Sequence, residues 1–129
     1  MKAFQAALTA FWKSFSYGGS PIKAFLSGHV PSGTQFPYIT FDVSKGDAFS
    51  GNVLTAFVWC KGNAANVQRA EILDLIADAI PHGGRKLAFD SGYAVLYRNA
   101  AGFQSLYDDP EDASVLGGRI SYEINYFSI

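Results

Sequence analysis

Cysteine is almost absent from this chain: Cys60 is the only one. One thiol can close no internal disulfide and furnish no Cys-rich zinc site, and it points to a reducing compartment. Histidine is nearly as scarce. His29 lies in a polar loop and His82 behind the main helix, at no ligand spacing, so both read as surface residues rather than metal ligands. Charged residues make up only 16% and the net charge is -1, whereas nucleic-acid-binding domains are usually clearly basic. No sequence-specific nucleic-acid partner is expected. Neither is a membrane, because no apolar run approaches the ~20 residues that span a bilayer. "MKAFQAALTAFWKSF" begins as a secretory signal does, but Gln5, Thr9 and Lys13 interrupt its apolar run.

Catalytic patterns are missing too. There is no Ser-His-Asp context, Walker loop or dinucleotide fingerprint, and no carboxylate pair whose setting suggests acid–base work. "HGGRK", His82–Lys86, has the glycines and cations of a phosphate loop. It follows a helix C-terminus, however, where the dipole repels anions, so it reads as an ordinary C-cap. "DDPED", Asp108–Asp112, lacks the alternating oxygens and central glycine of a calcium loop. The chain is not expected to be an enzyme or to carry a cofactor.

Apolar side chains are abundant. Hydrophobic residues are 49% of the 129, and aromatics 16%, with 11 Phe and 7 Tyr. A chain of this length makes one domain, here 1–129, and buries roughly two thirds of its surface on folding. So many aromatics exceed what such a domain easily hides, and Tyr and Phe are favoured at interface cores. Charge is also uneven: residues 1–64 carry +3 and residues 65–129 carry -4. That asymmetry suits a head-to-tail contact between unlike faces of identical subunits.

Phe4, Leu8, Phe11, Trp12 and Phe15 recur at helical spacing, so residues 2–15 predict an amphipathic helix that "SYGGSP" stops. Ile22–Leu26 reads as a short strand. Val53–Lys61 is apolar on both faces and belongs in the middle of a sheet, with Cys60 a small buried hydrophobe. Ala64–Ile80 predicts the main helix, with Asn63 as N-cap and Ile72, Leu73, Leu75, Ile76 and Ile80 forming its apolar arc. Short strands follow at Lys86–Phe89, Tyr93–Arg98 and Phe103–Tyr107. Arg119–Phe127 closes the chain, with Ile120, Tyr122, Ile124 and Tyr126 on one face. Leaving Ile22–Leu26 aside, the order α-β-β-α-β-β-β-β predicts an α+β domain, a mostly antiparallel sheet with two main helices on one face.

"GTQFPYITFDVS", Gly33–Ser44, runs from a polar loop into a strand in which Ile39, Phe41 and Val43 alternate with Thr40, Asp42 and Ser44. Pro37 is tolerated at the strand start, where no ladder N–H is needed, and biases Phe36 toward extended backbone. Phe36 and Tyr38 are therefore held at fixed positions, either to complete the core or to meet a partner. The segment Lys45–Asn52 forms a turn or hairpin tip. "DDPED" is an exposed loop, either a solvated turn or a contact for a basic partner.

Three features in order, "VPSGTQFPYITF", "FVWCKGNAANVQRAEILDLIADAI" and a closing series of short strands ending in an aromatic one, resemble the tail-terminator, or tail-completion (minor capsid), family of long-tailed bacteriophages. The likeness runs from about Ile22 onward. Cys60 departs from it, since a small polar residue after the Trp is more usual there. The resemblance implies a sheet with helices packed against it, and a six-fold ring on the head-proximal end of the tail tube that stops polymerisation and presents a surface to the head. It implies as partners the chain itself, the tail tube protein and a head-completion or connector protein. It places the protein in the virion tail, and in the host cytoplasm during assembly. On that reading, subunit or tube contacts are expected at Phe36 and Tyr38, at Lys45, Asp47 and Phe49 of the hairpin tip, and at Asp108, Asp109, Glu111 and Asp112. A head-completion or neck protein and a small-ligand binding module are the alternatives.

Overall fold

A computed structural model describes residues 1–46 and 51–128. Asp47 and Phe49 of the expected hairpin tip lie outside the described residues. The chain forms a single α+β domain. Helix α1 (Lys2–Trp12) leads into a two-residue hairpin, β1 (Ser16–Tyr17) and β2 (Ser20–Pro21), then β3 (Lys23–Leu26), β4 (Tyr38–Phe41) and β5 (Asn52–Lys61). Helix α2 (Ala65–Ala79) precedes β6 (Arg85–Phe89), β7 (Gly92–Arg98), β8 (Gln104–Leu106) and β9 (Val115–Ser128). The main sheet runs β3-β4-β5-β9-β7-β6, with β8 on β9. Every pairing is antiparallel except β3 with β4.

Strand β9 is the spine of the sheet. One edge pairs with β5 from Val115 to Ile124, while the other meets β8 at Gly118–Ile120 and then β7 at Tyr122–Ser128. The sequence places its start at Arg119, four residues late. "VLGG" precedes that start, yet both glycines belong to the strand, whose two faces are closely approached there. A Cβ on Gly118 would stand 2.9 Å from the Leu73 methyls, and one on Gly117 would strike the Tyr107 carbonyl and come within 2.9 Å of the Trp59 ring.

Both helices cover the same face of this sheet, as the apolar patterning predicts. Phe4, Leu8, Phe11, Trp12 and Phe15 are all buried, and Trp12 packs on Phe41 of β4 and Tyr122 of β9. From α2, Ile72, Leu73 and Ile76 are buried, and so is Ile80 just beyond it. They meet Leu54, Ala56, Val58, Cys60, Ile120, Tyr122, Ile124, Ala94 and Leu96 on the strands. Burial pushes the Cys60 thiol up to about 11, as befits a buried hydrophobe rather than a nucleophile.

Several expectations need correction. Leu75 is 39% exposed, because the buried side of α2 is completed by Ala65 and Arg69 instead. Asn63 does not cap α2: the N-cap position falls at Ala64, with no side-chain hydrogen bond, and the Ala65 N–H donates to the Gly62 carbonyl. Strand β4 ends at Phe41, short of Ser44, and its alternation fails at Thr40. That residue is 7% exposed because its hydroxyl accepts the Trp59 Nε1–H at 3.1 Å. The β1–β2 hairpin occupies the "SYGGSP" break, with Gly18 and Gly19 at positive φ in its turn.

Two arginines fasten α2 to the sheet. Arg69, 5% exposed, donates to the Gly117 carbonyl at 3.1 Å, to Asp108 at 2.6 Å and to Asn66 at 3.0 Å. Arg98 of β7 donates to the Ile80 carbonyl at 2.6 Å and the Ala77 carbonyl at 2.7 Å, satisfying carbonyls at the end of α2 and opposing its dipole. The basic residues that follow the helix in sequence do not do this. Arg85 lies over the Phe11 ring and Lys86 over Tyr93.

Candidate functional site: the helix-free aromatic face

Period-two alternation sends every second strand residue away from the helices. On the opposite side of β3, β4 and β5 those residues are Phe25, Tyr38, Phe57 and Trp59, in register across the strands: Lys23 beside Tyr38, Tyr38 beside Trp59, Thr40 beside Phe57. Phe36 and Tyr107 join them from loops. Ring centroids are 6.2 Å apart for Phe25–Tyr38, 5.0 Å for Phe36–Tyr38, 5.4 Å for Phe57–Trp59 and 5.3 Å for Phe57–Tyr107. The result is a band of six aromatics on the face that no helix covers. Five are half-buried and Tyr107 is 46% exposed.

Phe36 and Tyr38 therefore stand outside the core cluster, where the sequence allowed either placement. The Phe36–Pro37 bond is cis, and both rings lie on the outer face with centroids 5.0 Å apart. They line a groove of about 370 Å³ whose walls also include Val30, Phe57, Trp59 and Asp109. Burial first, and then the charge of Asp109, raises the Tyr38 phenol above its ordinary value.

The acidic loop stands at the same end of the sheet, and its carboxylates are not equivalent. Asp108 is bound to Arg69. Asp112 accepts from the Ser114 hydroxyl at 2.6 Å and the Ser114 N–H at 3.0 Å, and it lies 3.6 Å from Lys61. These bonds, the Ser114 hydroxyl first, hold its carboxyl below the usual range. Asp109 accepts only the Glu111 N–H at 2.8 Å, and neither Asp109 nor Glu111 meets a cation among the described residues.

Lys45 sits elsewhere. Its ammonium lies 4.3 Å from the centre of the Tyr126 ring, and the neighbouring Gly46 carbonyl accepts the Tyr126 N–H at 2.8 Å. Ser44 accepts from Asn52, so this segment flanks the Asn52 end of β5, while Asp112 reaches Lys61 at the other. Ten strand residues separate the ends by about 30 Å. The structure thus brings Phe36, Tyr38 and Asp109 together and keeps Lys45 at the far end. Phe25, Phe57, Trp59 and Tyr107 of the band were not among the contact residues expected from sequence. Their only signal was that Phe57 and Trp59 occupy the second face of a strand apolar on both.

Among the described residues, no group of three His, Cys, Asp or Glu side chains could hold a metal, and no helix is long and apolar enough to cross a membrane. No protein-family model matches the chain, and no curated protein matches it either.

Proposed function

We propose that this chain is a structural virion-assembly protein: a ring-forming cap on the head-proximal end of a phage tail tube, ending polymerisation and preparing head–tail joining. The observation that carries the assembly reading is the aromatic band on the helix-free sheet face. Six clustered aromatics with no covering layer among the described residues are what an interface core requires. The virion setting comes from the motif resemblance. Placement of Lys45 and the acidic loop about 30 Å apart, at opposite ends of β5, suits a heterologous contact, in which one end of a subunit meets the other end of the next. Such a contact closes into a ring when its rotation divides the circle, and six copies are the number the resemblance implies.

A small-ligand binding module is the second reading, favoured by the groove of about 370 Å³ with four aromatic walls.

Electron microscopy of particles made by the parent phage after deletion of this gene separates the readings. Overlong tubes without heads support the cap. Normal-length tails beside unjoined heads move the protein to the joining step, and normal infectious virions overturn the assembly role.

A further inference from the structure

The groove at the Phe36–Tyr38 end of the aromatic band has a charge pattern that specifies its occupant. Its walls are Phe36, Tyr38, Phe57 and Trp59, and Asp109 is the only charged residue among those that line it. The negative faces of aromatic rings attract cations, most strongly where water is partly excluded, and a carboxylate at the rim adds an ion pair. Asp109 has no cationic partner among the described residues, unlike Asp108 and Asp112. One of its oxygens accepts the Glu111 N–H, which fixes the carboxylate, and its charge reaches the Tyr38 phenol across the groove. The protein's own Lys61 stands 5.8 Å over the Phe36 ring, held there by Asp112 at 3.6 Å. A cation at this rim is thus already attracted by one of the walls.

We propose that this groove binds the basic side chain, Arg or Lys, of a protein partner, with the cationic head between the aromatic walls and Asp109. The inference rests on the assembly reading only in taking the cation from a macromolecule. A volume of about 370 Å³ accommodates a guanidinium and its alkyl stem and is small for a folded peptide segment. Arg fits best, since a planar guanidinium can stack on Trp59 or Tyr38 while donating two parallel hydrogen bonds to Asp109.

The test is a fluorescence titration of the full-length protein. Of its two tryptophans, Trp12 is fully buried and Trp59 lines the groove, so the groove ligand reads out on Trp59. The probes are N-acetyl-arginine amide, choline as a free organic cation, and 3,3-dimethylbutanol as the neutral isostere of choline. The expected order is N-acetyl-arginine amide first, choline second, and dimethylbutanol weaker than choline by about tenfold. Asp109→Asn should weaken the arginine probe by about tenfold, and Lys61→Gln should tighten it by removing a competing charge. Trp59→Phe, which keeps an aromatic wall, serves as the signal control.

Choline binding more tightly than the arginine probe overturns the side-chain occupant in favour of a small free cation. Equal binding of choline and dimethylbutanol overturns the cation site altogether, leaving an apolar groove. Weaker arginine binding in Lys61→Gln also overturns it, because that sign belongs to an anion site. No titratable change with any probe, in a protein whose melting temperature is unaltered, does the same. None of these outcomes bears on the length of the tail tube, so the groove and the cap stand or fall separately.

Discussion

The indole Nε1 of Trp12 donates to the hydroxyl of Tyr122 at 3.3 Å, joining the first helix to the last strand across 110 residues of sequence. Both side chains are fully buried, their rings 5.7 Å apart, and the bond lies at the centre of the helix–sheet layer. Tyr122→Phe keeps the ring but leaves the indole N–H without a partner in a dry site. It should lower stability by about 1–3 kcal/mol, read as a smaller urea midpoint at unchanged slope. An unchanged midpoint would mean that the bond contributes nothing.

The same hydroxyl is expected to make the fold sensitive to alkali. Burial pushes the Tyr122 phenol well above its ordinary value of 10.0, and pushes Cys60 from 9.0 to about 11. Both groups are held neutral in the fold and ionise more easily once unfolded, so the stability they contribute is intact below about pH 9. It should decline through the Cys60 window up to about pH 11 and continue to fall above pH 10 as Tyr122 becomes ionisable in the unfolded chain. Melting temperatures from pH 7 to 11 check this. Cys60→Ser, whose hydroxyl does not titrate in that range, should flatten the part that begins near pH 9.

Arg98 closes α2 from a strand that follows the helix by more than a turn. Arg98→Met keeps much of the aliphatic stem and removes both donors to the Ile80 and Ala77 carbonyls. A loss of about 1–3 kcal/mol is expected, together with faster amide exchange in the last turn of α2. Exchange that speeds up uniformly through the domain would contradict a local capping role.

Gly117→Ala places a methyl against the Tyr107 carbonyl, whose own N–H donates to the Gly117 carbonyl at 2.8 Å. The collision is with backbone, which cannot rotate away as a side chain can. The cost should be about 1–3 kcal/mol by denaturant titration, with a change in near-UV dichroism from Trp59 and Tyr107. Gly118→Ala meets first the Leu73 side chain, which can shift, and should cost less.

If the proposed assembly role holds, it should depend on the acidic end of the sheet. Asp109→Lys with Asp112→Lys should abolish complementation of the deleted gene, and Lys45→Glu at the opposite end should impair it. Full complementation by the double variant would remove the loop from the contact. Because Asp112 also ties down Ser114 and Lys61, Asp109→Lys alone is the cleaner test: among the described residues the Asp109 carboxylate is joined only to the Glu111 N–H.

Much of the architecture was written locally. The helical spacing of Phe4, Leu8, Phe11 and Trp12, the two-sided apolar run of Val53–Lys61, and the alternation of Ile120, Tyr122 and Ile124 are one-dimensional periodicities. Such periods fix which face of an element avoids water before any partner is known. They placed both helices on one face and β5 in the interior of the sheet.

Tertiary contact decided the rest. "VLGG" belongs to a strand because Leu73, Trp59 and Tyr107 press on its two faces, which no local pattern records. Nothing in the local pattern marks Arg69 or Arg98, and folding sets a carbonyl or a carboxylate beside each. The candidate site was legible only in pieces. Phe36 and Tyr38 were visible as rings held by Pro37, and Asp109 as one acid among four. That they share a groove with Phe57 and Trp59, and that Lys45 lies at the far end of β5, follows from strand register. Register depends on pairings between residues distant in sequence, whereas periodicity depends only on near neighbours. Sequence therefore determined the main buried face of each helix and of the long strands, because periodicity is local, and the fold alone determined which of the remaining side chains stand together.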